Sequence, residues 1–290
     1  MPDRPPNPAE SAKIKSKKPN LNDWKRVVDA KLNPKKKVSI AVVGKYVDLK
    51  DSYKSLNEAL DHAGIVNLAK VDIQMIDAAK ITKTNVSKIL KSSQAILVPG
   101  GFGSRGIEGM IHACQFAREN KLPYFGICLG MQIAIIEFSR NVLMLKNANS
   151  TEFNVMTKHP VIGLVTEWKD ASGKIEHRSE NSNLGGTMRL GGQKCMIKKS
   201  SLSHKLYKKM TITERHRHRY EVNPEYKNEL IAGGMDIVGT SLDGNLAEMI
   251  EIKKHPWFLG CQFHPEFTSN PRDGHPIFND FIAKAIKIKR

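Results

Sequence analysis

Two spacings of apolar residues alternate along the chain from Val38 onward. Short apolar runs at Val38 to Val43, Val71 to Ile76 and Ala95 to Val98 predict buried strands, and the helical spacing of Tyr53 to His62 and of Ile107 to Asn120 predicts helices between and after them. A short helix is expected between Ile76 and Ala95. The run Leu122 to Phe125 predicts a further strand, followed by a turn at Gly126 to Gly130 and a helix over Met131 to Phe138. Alternation of this kind predicts an α/β fold with a mostly parallel central sheet flanked by helices. After Ser150 the texture becomes β-rich: Val161 to Trp168, Cys195 to Ile197, Ile212 to Val222, Leu246 to Ile252 and Phe258 to Phe263. An amphipathic helix over Ile277 to Ile288 is expected to cover one face, and no internal repeat is found.

The first 37 residues differ from this pattern. Prolines at positions 2, 5, 6 and 8 and lysines at 13, 15, 17 and 18 predict a loosely held tail from Met1 to Asn20. Leu21, Trp24, Val27 and Val28 then have helical spacing, a lead-in that packs either on a partner or back onto the domain. The reading is therefore a basic tail and linker at 1–37 and one α/β domain at 38–290, within a chain of 290 residues and 40% hydrophobic content.

Charge adds a rival function. The chain carries +17 with a pI near 9.7, and residues 1–37 hold eleven Lys or Arg against four Asp or Glu, so about +7 of it lies in the tail. Arg215-His216-Arg217-His218-Arg219 is the sharpest basic run, but it alternates like a strand and lacks a stacking aromatic beside it, which argues against nucleic acid. A basic face toward nucleotides, or a generally lysine-rich composition, accounts for the charge equally well. The four cysteines, Cys114, Cys128, Cys195 and Cys261, have no disulfide or zinc spacing, which suits a cytoplasmic location. No run approaches the roughly 20 apolar residues that span a bilayer, and no signal-peptide core is seen.

The candidate chemistry lies in three segments. Gly126-Ile127-Cys128-Leu129-Gly130 reads as a strand-to-helix nucleophile elbow, its glycines leaving room for a sharp turn and the helix N-terminus favouring thiolate. A buried structural cysteine in a Gly-rich turn is the plain alternative. His264 and Glu266, at the end of the run Trp257-Phe258-Leu259, project to the same side of an extended backbone and supply a base and its orienting acid. Four glycines between Gly100 and Gly106 follow the strand Ala95 to Val98. They read as an oxyanion hole built from the amides of Gly101 and Leu129, since the P-loop lysine pattern is absent; a simple strand-to-helix turn would have the same composition.

With these segments in hand, the chain resembles the class I (triad) glutamine amidotransferase domain of the CTP synthases. Pro99-Gly100-Gly101-Phe102-Gly103, Asn149 to Phe153, Glu214 to Asn223, Gln262 to Ser269 and Pro271 to Pro276 carry the likeness, which runs from about Val38 to the C-terminus, with Leu21 to Trp24 matching a lead-in. The resemblance implies a flavodoxin-like fold with a β-rich second half, Cys128 as nucleophile, His264 as general acid and base, and Glu266 as its orienting partner. It further implies that L-glutamine is held by Gly101, Phe102, Leu129, Gly130, Met131, Gln132, Glu152 and Arg219. Glu152 would take the substrate ammonium and Arg219 its carboxylate, although Arg215 and Arg217 are equally plausible by charge alone.

In such enzymes the ammonia passes to a synthetase domain that uses ATP and Mg2+ to aminate UTP, with GTP as allosteric activator, in a homotetramer. The synthetase half has no counterpart before Val38, so the expectation is the glutaminase half, with no cofactor or metal of its own. Three alternatives remain: a sibling amidotransferase, a γ-glutamyl hydrolase of the same fold, and a thiol sensor or binding module in which Cys128 is not catalytic. His216, His218 and His275 are read as structural.

Overall fold

The computed structural model describes residues 20–289 apart from 48, 50, 165–166, 170–174 and 178–187, so the expectation for the tail falls almost wholly outside the described residues. The strands are β1 (Lys36–Gly44), β2 (Ala69–Asp77), β3 (Ala95–Val98), β4 (Tyr124–Ile127), β5 (Asn149–Ser150), β6 (Pro160–Leu164), β7 (Glu167–Lys169), β8 (Ile175–His177), β9 (Arg189–Ile197), β10 (Thr211–His218), β11 (Tyr220–Val222), β12 (Met235–Ser241), β13 (Ala247–Ile252) and β14 (Phe258–Cys261). The helices are α1 (Asn22–Leu32), α2 (Lys54–Val66), α3 (Val86–Leu90), α4 (Ile107–Glu119), α5 (Leu129–Asn141), α6 (Leu202–Tyr207), α7 (Lys227–Gly233) and α8 (Pro276–Ala285).

Nine strands form one sheet in the order β10-β9-β12-β13-β14-β4-β3-β1-β2. The half from β14 to β2 is parallel, as the strand-helix alternation predicts. The β-rich second half continues the same sheet in antiparallel pairing from β13 to β10. Both faces of the parallel half are covered, and the period of two in β1 divides its side chains between them. Ala41 and Val43 join Met110, Ile133 and Phe138 of α4 and α5, while Val38, Ile40 and Val42 join Leu60, Phe278 and Phe281 of α2 and α8. Phe125 of β4 anchors the second layer, its ring 5.9 Å from Trp257 and 5.1 Å from Phe278. Truncating an aromatic in such a cluster costs about 3–5 kcal/mol.

Two differences from the sequence reading have physical causes, and the lead-in helix takes one of the two positions left open for it. The stretch Ile212 to Val222 is two strands in two sheets, β10 at the edge of the large sheet and β11 paired with β6. The alternating burial of β10 stops at Arg219, after which Glu221 and Val222 are buried consecutively. Strand β9 begins at Arg189 rather than Cys195, its first half hidden by Gly191 and Gly192, which carry no side-chain pattern. Helix α1 rests on the domain through Val27 and Ala30 against Ile65, while Leu21, Trp24, Val28 and Leu32 are exposed.

Candidate active site

Three adjacent parallel strands, β3, β4 and β14, end side by side, and the three candidate segments emerge from those ends. This is the edge of an open α/β sheet at which ligands ordinarily bind. Gly100 follows β3, Cys128 follows β4, and His264 follows β14.

Cys128 occupies the turn from β4 to α5 with φ +52° and ψ −103°, outside the regions that non-glycine residues ordinarily favour. Its N–H donates to Cys261 O at 2.7 Å, tying the elbow to β14. The turn is tight enough to require glycine on both sides: a Cβ on Gly126 would lie 2.5 Å from Gly130 O, and one on Gly130 would lie 2.0 Å from Val98 O. Leu129 and Gly130 begin α5, where the first N–H groups of a helix lack intrahelical partners.

His264 is held at backbone and ring. Its N–H donates to Arg215 O at 2.8 Å, and its Nδ1 meets Glu266 Oε1 at 2.8 Å within the 3-10 turn Pro265–Thr268. A carboxylate accepts, so Nδ1 carries hydrogen and Nε2 is the atom left for chemistry. Nε2 is buried and makes no well-formed hydrogen bond, with the Cys128 side chain as its neighbour across Gly100. Burial disfavours the imidazolium, but the charge and polar contact of the Cys128 sulfur, followed by those of Glu266, raise the His264 pKa to about 10.

The glycine loop is clamped from both sides by residues distant in sequence. Lys45, just after β1, donates to Phe102 O at 3.0 Å and to Gly103 O, and Gly103 N–H donates to Glu152 Oε1 at 2.8 Å. Burial, the largest influence, lowers the Lys45 pKa to about 8 against the opposing charge of Glu152. Burial likewise raises the Glu152 pKa, opposed by the Gly103 amide, Lys45 and Arg219. The one signal of Lys45 in the sequence is its place at the end of a strand neighbouring β3.

The three arginines of the basic run separate. Arg215 lies over the Phe267 ring at 5.8 Å, Arg217 lines the cleft at Cys128, and Arg219 is close enough to Glu152 to act on its charge, with its Nε buried and unbonded. The cleft, about 290 Å³, brings together Gly101, Phe102, Cys128, His264 and Glu266 with Tyr46 and Tyr53. Leu129, Gly130, Met131, Gln132, Glu152 and Arg219 are not among its lining. Met131 is fully buried beside Gly260, and the Gln132 amide is turned inward to Tyr220 O at 2.9 Å, so neither presents its side chain to the cleft.

Alternation in β10 places His216 and His218 on its buried face. Arg189 donates to Glu221 and to Glu248, each at 2.7 Å; His216 Nε2 meets Glu248 Oε2 at 2.8 Å and His218 Nε2 meets Glu221 Oε1 at 2.7 Å. Burial lowers the His218 pKa, while its partners His218 and Arg189 outweigh burial and lower that of Glu221. His275 bonds Glu214 at 3.0 Å and caps α8. Among the described residues there is no acidic, His or Cys cluster able to hold a metal ion, and no helix long and apolar enough to cross a membrane.

The family model for Glutamine amidotransferase class-I matches residues 48–284. Among solved structures, the Trypanosoma brucei CTPS glutaminase domain with bound acivicin is 37% identical, with 87% of this chain and 95% of that one covered and a TM-score of 0.77. Looser likenesses are to a glutamine amido transferase of Methylobacillus flagellatus (9% identity, 79% and 70% covered, TM-score 0.47) and one of Thermotoga maritima (10%, 87% and 96%, 0.42). With the family match spanning most of the domain, and a solved relative sharing more than a third of its residues, the chain belongs to the class-I glutamine amidotransferases.

Proposed function

We propose that this chain is the glutaminase part of a CTP synthase, hydrolysing L-glutamine to glutamate and ammonia. The observation that carries the reading is the meeting of Cys128, on its strained elbow, with a His264 ring whose Nδ1 is held 2.8 Å from Glu266. The likeness to the CTPS glutaminase domain supports the choice among amidotransferases.

In this reading the Cys128 thiolate attacks the side-chain amide carbon of glutamine. The Gly101 and Leu129 amides receive the oxyanion. The C–N bond then breaks as His264 Nε2 gives its proton to the leaving nitrogen, releasing ammonia and leaving a γ-glutamyl thioester. Acylation removes the sulfur charge that chiefly sustains the imidazolium, so His264 becomes a base suited to taking a proton from water. Attack of that water oxygen breaks the C–S bond and yields glutamate and thiolate. By the family likeness, Glu152, which accepts from the Gly103 amide, and Arg219 near it are assigned the ammonium and carboxylate of the substrate, although neither lines the cleft about Cys128 in this structure. The ammonia serves a synthetase domain that aminates UTP with ATP and Mg2+, under GTP control, within a tetramer.

The test is glutamate release from L-glutamine by the purified chain beside Cys128→Ala. Loss of turnover in the variant is expected. Equal turnover in both, or an inactive wild type whose Cys128 is also refractory to a glutamine-like chloroketone, would overturn the assignment.

A further inference from the structure

Behind the thiol runs a chain of side-chain amides that the steps above do not use. Gln132 of α5 and Gln262, just past β14, are 3% and 0% exposed. Gln132 Nε2 donates to Tyr220 O at 2.9 Å and to Gln262 Oε1 at 3.2 Å, and Gln262 Nε2 donates to Cys128 Sγ at 3.7 Å. A backbone carbonyl only accepts, so Tyr220 O determines which end of the Gln132 amide faces it. The second hydrogen on that nitrogen draws the oxygen of Gln262, and the NH2 of Gln262 is thereby turned to the sulfur. The backbone of Gln262 is pinned as well, its N–H donating to Glu248 O at 2.9 Å. Glu248 in turn holds Arg189 and His216.

We infer that Gln262 is a further catalytic residue, a fixed N–H donor on the reacting sulfur whose direction is set through Gln132 by the carbonyl of Tyr220. The inference rests on Cys128 being the nucleophile proposed above. A donor of fixed direction binds thiolate, a strong acceptor, better than thiol, a weak one. It therefore favours the attacking form, and it assists again when the thioester C–S bond breaks and charge returns to sulfur. The other groups around Cys128 are His264, with Glu266 behind it, Cys261 on the neighbouring strand, and Arg217, whose carbonyl oxygen lies 4.0 Å from the sulfur.

The test is the pH dependence of Cys128 alkylation by iodoacetamide, followed by mass at that residue, together with kcat and KM for glutamate release. In Gln262→Met, which keeps length and removes the donor, alkylation at pH 7 is expected to slow about tenfold, the lower end for a hydrogen bond to a charged group. Its pH–rate profile should move to higher pH with the high-pH plateau retained, and kcat should fall more than KM rises. A profile superimposed on wild type overturns the inference. Should Gln262→Met not fold, as judged by thermal melting, Gln132→Met carries the test. It frees the Gln262 amide to turn over and should move the profile the same way by less; no movement overturns the inference equally. The functional reading fails separately, through undiminished glutamate release in Cys128→Ala.

Discussion

A methyl group on Gly100 would stand 2.8 Å from Cε1 of His264 and 3.6 Å from Cβ of Cys128, so the glycine loop, the elbow and the histidine arm meet where no side chain fits. Gly100→Ala is expected to push the imidazole off its line to the sulfur. Overpacking of this kind costs about 1–3 kcal/mol of stability. The activity loss should be larger, about a hundredfold for a displacement near 1 Å. Paired measurements of glutamate release and thermal melting separate the two, and full activity would contradict the contact.

His264 has a folded pKa of about 10 against an ordinary 6.5. A raised value stabilises the fold fully below pH 6.5, and the contribution is lost as pH climbs toward 10. The stability difference between wild type and His264→Asn should therefore shrink over that window. Because the Cys128 sulfur is the chief raising influence, Cys128→Ala should bring the imidazole titration, followed by NMR, to lower pH. An unmoved midpoint would remove the sulfur from the account.

Lys45 holds the Phe102 and Gly103 carbonyls while Glu152 holds the Gly103 amide, so Lys45→Met should release one side of the loop that carries Gly101. A fall in kcat of about tenfold is expected, consistent with weakened presentation of one oxyanion donor. The pH sign is opposite to that of His264. With its pKa depressed from 10.5 to about 8, Lys45 burdens the fold below pH 8 and ceases to do so as pH rises toward 10.5. Wild type should gain stability relative to Lys45→Met across that range, which pH-dependent urea unfolding would measure.

Glu248 receives both Arg189 and His216 in the interior beside β10. Glu248→Gln removes its charge and leaves Arg189 undercompensated, at an expected cost of about 3 kcal/mol. The same strand offers its Arg215 carbonyl to His264, so glutamate release should fall as well. Urea unfolding checks the first expectation, and a midpoint equal to wild type would show that Arg189 is served without this carboxylate.

The strand-helix alternation up to Phe138, the elbow around Cys128, the glycine loop after β3 and the pair His264 and Glu266 were all legible in the sequence. Each is a local pattern: a spacing of apolar residues, a glycine where a Cβ cannot go, two side chains on one face of an extended segment. The split of Ile212 to Val222 into two sheets was not legible, because nothing local at Arg219 marks a change of pairing partner. Nor were the Lys45 clamp, the Arg189 network and the amide chain through Gln132 and Gln262, each of which joins segments tens to more than a hundred residues apart. Only the order of the strands decides which of these polar groups are buried together. Burial is what turns an ordinary lysine, glutamate or glutamine into a group that must find a partner, and so fixes the direction in which it acts.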